Sequence, residues 1–157
     1  MAMMQLHMKI DGIDGPCKMK GREGTFEVLG LNHEVVLPFE QRNGQPRDKR
    51  VHNPVTVMKE VDSASPKLYQ AICTAQKLKS VEIKWYKIDD AGKEQEYFNT
   101  RLDNVKVVAV KPKMLDIKNP AFEKHNHLED IELRYEKITW SYKDGNIIHA
   151  DSWNERA

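Results

Sequence analysis

Two histidines separated by one residue are the side chains that most invite a chemical role in this sequence. His125 and His127 flank Asn126, and in an extended strand both imidazoles would share one face, where they could chelate a metal ion. No third cysteine or histidine lies near them in the sequence, whereas a zinc site takes three or four protein ligands. We therefore expect a solvated loop here, with no metal and no cofactor.

Residue patterns for acid–base or nucleophilic catalysis are equally weak. Cys73 falls one position off the apolar face of a predicted helix, where a packed thiol is commoner than a nucleophile. The chain contains no G-x-S-x-G, G-x-x-x-x-G-K-[ST] or G-x-G-x-x-G motif. The sequence therefore predicts no catalytic residue and a protein that is not an enzyme. We expect the acidic residues of the last third to form a solvated strand face: Glu129, Asp130, Glu132, Glu136, Asp144 and Asp151.

The charge balance argues against nucleic-acid and membrane partners. The 157 residues include 25 Lys and Arg against 24 Asp and Glu, a formal net charge of +1 that creates no attracting field. No stretch approaches the roughly 18 apolar residues of a membrane span, and the N-terminus does not resemble a signal peptide. Cys17 and Cys73 are predicted to be free thiols, which suits the cytoplasm. The length predicts one domain over residues 1–157.

Hydrophobic periodicity predicts a mainly β fold with one helix. Ser65 and Pro66 suit a helix start, and apolar residues recur at helical spacing from Leu68 to Ala75, so we expect one amphipathic helix over about residues 65–76. The polar segment 40–50 predicts an extended solvated loop. We expect seven to nine antiparallel strands in a sandwich or closed barrel. The predicted strands lie within 4–11, 25–31, 33–39, 51–61, 81–88, 93–101, 102–111 and 128–153.

The stretch 128–153 alternates like a strand but changes its apolar face near Glu136. Before that position the apolar residues are odd-numbered, and after it they are even-numbered: Ile138, Trp140 and Tyr142. The change indicates either a bulge or a second surface that a partner buries. Neighbouring bulky residues on other predicted strands also put apolar side chains on both faces, which favours self-association. These pairs are Trp85–Tyr86 and Val107–Val108.

Three segments together resemble the haemolysin-coregulated protein (Hcp) family, the tube subunits of the bacterial type VI secretion system. The segments are PFEQRNGQPRDKRVHNP, SASPKLYQAICTAQKLKSVEIKWYKI and FEKHNHLEDIELRYEKITWSYKDGNIIHADSW. The resemblance extends from about Met8 to Ala157. It implies a β-barrel of two antiparallel sheets with one flanking helix, assembled into hexameric rings that stack into a hollow tube related to phage tail tubes.

The resemblance also implies partners and a route out of the cell. The tube would assemble in the cytoplasm inside a contractile sheath, on a baseplate and below a spike protein. It would be ejected without a signal peptide, and the ring lumen would carry and shield effector proteins. The alternatives to this function are a small secreted β-barrel toxin or hydrolase and a phage tail-tube subunit. Because only residues 154–157 follow Trp153, we expect no appended effector domain.

The resemblance assigns roles to three groups of residues. The extended loop would reach the adjacent ring, and its two acidic and four basic residues would face a C-terminal region, 128–157, with seven acidic and four basic residues. Asn32 matches a lumen-facing position near bound effectors, with a turn asparagine as the alternative. In a ring, the face change near Glu136 predicts the subunit contact through Ile138, Trp140 or Tyr142. The predicted stacking residues are Arg42, Arg47, Asp48, Lys49 and Arg50.

Overall fold

The computed structural model describes residues 4–39, 42, 44–45, 49–124 and 126–152, and strands dominate this part of the chain. One α-helix, α1 (Ser65–Cys73), and one short 3-10 helix (Pro120–Phe122) accompany them. The strands are β1 (Leu6–Ile10), β2 (Phe26–Val28), β3 (Gly30–Asn32), β4 (Val35–Val36), β5 (Val51–His52), β6 (Val55–Glu60), β7 (Leu78–Ile88), β8 (Glu94–Lys113), β9 (Leu128–Arg134), β10 (Lys137–Tyr142) and β11 (Ile147–Ser152). None of the helices in the described ranges is long and apolar enough to cross a bilayer.

Nine strands form one antiparallel ladder in which β8 belongs to two sheets. The ladder runs β2-β1-β7-β8-β9-β6-β3, with β10 on β8 and β11 on β10. The first part of β8, to Val105, pairs with β7, and the part from Lys106 pairs with β9. The shared strand therefore joins two antiparallel sheets, which confirms the predicted mainly β class.

The two ends of the ladder are consecutive in the chain and do not pair with each other. β2 pairs with β1, β3 pairs with β6, and Leu29 connects them. The Leu29 N–H donates to the Met58 carbonyl at 2.7 Å, so the chain joins the second sheet as soon as it leaves the first. The fold thus differs from the expected closed barrel, because the ladder is open. The chain itself spans the opening at Leu29, between β2 and β3.

Strand β8 contains an irregularity next to two neighbouring valines that face opposite sides of the sheet, as adjacent strand residues do. The sequence predicts two strands here, but the structure has one, in which Asn104 takes a left-handed backbone conformation (φ 54°). The pairing register with β9 shifts between Val107 and Ala109. Val107 is buried whereas Val108 is exposed. The irregular pairing, a β-bulge, reorients the side chains of a strand that continues into the second sheet.

Helix α1 packs on β8 through Leu68 and Ala71, which are both fully buried. Ser65 is the first helical residue and not the cap that the sequence suggested. Its hydroxyl accepts the Asp62 N–H at 3.0 Å, and the Asp62 carboxylate accepts the Ala64 N–H at 2.9 Å. The helix ends at Cys73, short of the predicted residue 76. Ala75 has a left-handed backbone (φ 51°), a conformation that ends helices.

The two sheets and α1 enclose one apolar core. Each fully buried aliphatic or aromatic side chain in it contributes roughly 1.5–3 kcal/mol to folding. The largest fully buried apolar side chains are Phe26, Met8, Ile10, Leu68, Leu78, Ile83, Leu102, Leu128, Ile131, Leu133 and Ile138.

Candidate functional site

The chain turns between β9 and β10 at Tyr135 and Glu136, where the apolar pattern changes face. Tyr135 is 2% exposed, and the Glu136 N–H donates to the Asp103 carbonyl at 3.1 Å. β9 pairs with the later part of β8, whereas β10 pairs with the earlier part, so the turn carries the chain from one sheet to the other. The inward positions change from odd to even numbers across it. This bend within the chain accounts for the face change.

The three residues predicted to form the subunit contact lie at different depths. Ile138 is fully buried in the core of its own subunit. Trp140 is half-buried and stacks on His52 and His149, with ring centroids 6.5 and 6.0 Å apart. Tyr142 is 36% exposed. Tyr142 and the exposed part of Trp140 could therefore contact a neighbouring subunit. Ile138 could not, because it packs in the core beneath the strand.

Strand β11 is an edge strand with apolar side chains on both faces. Among the described residues it pairs only with β10. Ile147 and Ile148 are adjacent, so they point to opposite faces, and they are 67% and 60% exposed. These two residues are not among the contact residues predicted from the sequence, although two neighbouring isoleucines just after the turn at Gly145 indicate an edge strand that is apolar on both faces. Proteins usually cover such an edge.

A second exposed apolar surface lies where the extended loop joins the body. β4 and β5 form a separate two-stranded ribbon that brackets the loop, pairing Val35 with His52 and Val36 with Val51. We call this pair of strands the loop root. Large apolar side chains here are 39–55% exposed: Val35, Val36, Leu37, Phe39 and Val51.

The predicted stacking residues do not share one environment. Arg42 and Lys49 are exposed, whereas Arg47 and Asp48 lie outside the described residues. Arg50 is only 34% exposed at its side chain and binds Asp151 through two hydrogen bonds, Nε to Oδ2 at 2.5 Å and Nη2 to Oδ1 at 2.8 Å. Arg50 therefore ties the loop root to β11 of its own chain.

A chain of polar contacts continues from Asp151 into the body of the protein. Asp151 Oδ2 lies 2.7 Å from His52 Nε2, and His52 Nδ1 lies 2.5 Å from the Tyr135 hydroxyl. The same hydroxyl lies 2.9 Å from His33 Nε2. Hydrogen bonds from Arg50 hold the pKa of Asp151 below its ordinary value, while burial raises the pKa of Tyr135 and lowers that of His33. These contacts join four chain segments that are distant in sequence.

Asn32 is exposed at the end of β3 and lines a polar cleft of about 450 Å³. It lies opposite Thr56, and Thr56 lies opposite Glu132, so all three project from the outer face of the second sheet. Glu34 and Asn53 line the same cleft and bind each other at 2.6 Å. Asn32 is thus a strand residue with a side chain available to a ligand, and not part of a turn.

The acidic residues of the last third are mostly paired within the chain. Glu129 contradicts the expected solvated face, because its side chain is 1% exposed and binds Lys59 Nζ at 2.6 Å. The long sequence separation of this pair hid it from sequence analysis. The other pairs are Asp130–Lys113, Glu132–Lys111, Glu136–Lys77 and Asp151–Arg50.

Residues that could hold a metal or act as nucleophiles do not converge in the part of the chain that the structure describes. No three His, Cys, Asp or Glu side chains are grouped there so as to bind a metal ion. His127 is exposed, and His125 lies outside the described residues. Cys73 is exposed and not packed as expected, since it ends α1, and Cys17 is half-buried; both are free thiols.

Comparison with known proteins places the chain in one family. Residues 7–142 match the family described as "Type VI secretion system effector, Hcp". The "Major exported protein" of Pseudomonas aeruginosa is 37% identical over 139 residues, which cover 88% of this chain and 81% of that protein.

Solved structures agree with this assignment. A mutant Hcp1 from the E. coli EAEC 042 pathovar is 52% identical, with a TM-score of 0.82 over 96% of this chain and 97% of that one. The secreted protein Hcp3 from Pseudomonas aeruginosa is 29% identical, with a TM-score of 0.76 over 98% of this chain and 100% of that one. The chain therefore belongs to the Hcp family of secreted tube proteins of the type VI secretion system.

Proposed function

We propose that this chain assembles into homohexameric rings, that the rings stack into a hollow tube, and that the tube is ejected with effector proteins in its lumen. The spike protein, contractile sheath and baseplate of the secretion system would be its other partners. Assembly in the cytoplasm followed by ejection needs no signal peptide. Family membership supports the general role, and the surfaces of the subunit support the assembly.

The edge strand β11 is the observation that carries the proposal. Ile147 and Ile148 expose apolar surface on both faces of an edge whose backbone groups are ready to pair. In a cyclic ring each subunit places one surface against a different surface of the next, so every such edge is covered by another copy. Tyr142 lies opposite Ile147 in the adjacent strand and would extend the same contact.

The outer face of the second sheet is the surface best suited to the lumen. It presents Asn32, Thr56 and Glu132 in one row across three strands. Amide, hydroxyl and carboxylate groups can bind polar groups of a cargo protein without a large apolar patch that would trap it. In this proposal Asn32 contacts effectors from the wall of the polar cleft.

Stacking would use charged residues of the extended loop. Arg42 and Lys49, together with Arg47 and Asp48, would meet the next ring, while Arg50 holds the loop root. Most acidic groups of 128–152 already have a basic partner in their own chain. The charge contact between rings would therefore set register and orientation more than affinity.

The assembly can be tested with purified protein by light scattering and electron microscopy. We expect particles of about six times the 18.2 kDa subunit mass that appear as six-fold rings with a central hole. Ile147→Asp combined with Ile148→Asp should shift the mass to that of one subunit. Ile117→Asp is the matched control, because Ile117 is 75% exposed but lies outside the strands. A wild-type protein that stays monomeric at high concentration would refute the proposal.

A further inference from the structure

The contacts that hold the loop root contain two histidines on one phenol oxygen. His33 Nε2 and His52 Nδ1 both lie within 2.9 Å of the Tyr135 hydroxyl. His52 also reaches Asp151, which binds Arg50. These contacts all lie within one chain, so they do not depend on ring formation.

At neutral pH these contacts have one consistent arrangement of protons. His52 Nε2–H donates to the Asp151 carboxylate, so Nδ1 of the neutral ring keeps its lone pair. The Tyr135 O–H donates to that nitrogen, and the Tyr135 oxygen accepts His33 Nε2–H. Burial raises the pKa of Tyr135, which keeps its hydroxyl protonated. Arg50 keeps Asp151 ionised by lowering the pKa of that carboxyl.

Protonation of the histidines removes this arrangement. An imidazolium has N–H on both nitrogens, so protonated His52 can no longer accept the Tyr135 O–H. With His33 protonated as well, two cations lie against the same oxygen, and both Tyr135 and His52 are buried. The Arg50 guanidinium is nearby, and Asp151 is the carboxylate on the His52 side.

The other charged groups around the two histidines do not cancel the repulsion between the two cations. Glu34 lies beside His33 and raises the pKa of that ring, but burial and the charge of His52 lower it, and burial is the largest effect. Arg134 lies near Tyr135 and adds positive charge. Trp140 covers His52 by stacking, and His149 stacks on the same indole.

We propose that His33 and His52 form a proton-operated latch, which ties the loop root to Tyr135 at neutral pH and releases that contact when both rings are protonated, while Asp151 keeps its bonds to His52 and Arg50. Both ends of the extended loop leave the body through β4 and β5. The latch would thus make the position of that loop depend on pH while the core of the subunit stays folded.

Hydrogen–deuterium exchange tests the latch directly in the assembled protein. Between about pH 7.5 and about pH 5.5, corrected for the intrinsic pH dependence of exchange, amides of β5 should lose about tenfold in protection, while those of β7 stay protected. His33→Gln keeps a neutral donor for Tyr135 but cannot be protonated, so it should lose less than about twofold. His127→Gln, at an exposed histidine, should behave as the wild type. Unchanged wild-type protection, or an equal loss in His33→Gln, would overturn the proposal.

A titration of the histidine ring signals by NMR gives a second, independent measurement. His33 should titrate below 6.5 in the wild-type protein, and His52→Gln should raise its pKa because the neighbouring cation is removed. A pKa of His33 that is unaffected by His52→Gln would show that the two rings are not coupled, and the latch would be refuted. This readout remains decisive if His33→Gln fails to fold.

Discussion

Lys59 Nζ lies 2.6 Å from Glu129 Oε1, and both side chains are 1% exposed. The two residues face each other across β6 and β9. The Ser65 hydroxyl donates to the same Glu129 oxygen at 2.8 Å, and Lys59 also binds Asp62 at 3.1 Å, so the pair connects the second sheet to the start of α1. Because an unpaired charge in such a place is very costly, the two residues are interdependent.

Lys59→Met should therefore destabilise the subunit by about 3–5 kcal/mol, because it leaves the Glu129 carboxylate buried without its cation. Urea unfolding under conditions that dissociate any assembly measures the change. The double variant Lys59→Met with Glu129→Leu should recover most of the loss. Lys113→Met, which breaks the more exposed pair with Asp130, should cost about 0–1 kcal/mol. Equal losses for Lys59→Met and Lys113→Met would contradict the burial of the first pair.

The buried His7 should make stability fall in mild acid. Burial and then the nearby Arg22 lower the pKa of His7 below 6.5, and Arg22 Nη1 lies 3.3 Å from His7 Nε2. The unfolded chain therefore takes up a proton before the folded one does. Stability is full above pH 6.5 and is lost as the pH falls through the folded pKa.

Thermal unfolding across this pH range measures the effect of His7. His7→Gln should reduce the fall in Tm on acidification without abolishing it, because burial lowers the pKa of His33 in the same direction. His127→Gln, at an exposed position, is the matched control and should leave the fall unchanged. A pH profile of His7→Gln that coincides with the wild type would argue against a neutral, buried His7.

Local patterns in the sequence were sufficient for the class of fold but not for its connections. Alternation predicted β1 and β9, and the helical spacing of Leu68 and Ala71 predicted α1, because these signals depend on neighbours in the chain. The open ladder at Leu29 and the continuous β8 depend on which strands meet, and no local pattern encodes that. For the same reason the family resemblance was needed to give the extended loop a stacking role and to select Asn32.

Side-chain pairs that are distant in sequence were beyond prediction. Arg50 lies in a polar segment with the composition of a solvated loop, yet it binds Asp151 about a hundred residues away. Glu129 likewise has the pattern of an exposed strand residue, and only the register of β6 against β9 brings Lys59 to it. Burial of a charged residue follows from its partner, so it can be recognised only after the topology is known.

Substitutions of Ile138 and Tyr142 should distinguish an effect on subunit stability from an effect on ring assembly. Ile138→Ala should cost about 2–5 kcal/mol in urea unfolding, because it leaves a cavity in the core. Tyr142→Ala should change subunit stability little and should lower the concentration range in which rings persist in light scattering, since Tyr142 is 36% exposed on β10. If Tyr142→Ala rings survive dilution as well as the wild type, Tyr142 lies outside the subunit contact.

Reversal of three loop charges should block stacking and leave single rings intact. Arg42→Glu combined with Arg47→Glu and Lys49→Glu changes the charge that the loop would present to the next ring, and it spares the Arg50 anchor. Electron microscopy should show rings of normal diameter but few tubes, with the difference decreasing at high salt because exposed charges are screened there. Tubes of wild-type length from this variant would refute a stacking role for the loop charges.

Arg50→Glu is the contrasting variant, because Arg50 binds Asp151 within its own chain. It places two carboxylates together at the loop root, so amides of β5 and β11 should exchange faster even when tubes are absent. The triple variant should leave those amides protected. This difference would assign Arg50 to positioning the loop and Arg42, Arg47 and Lys49 to the contact between rings.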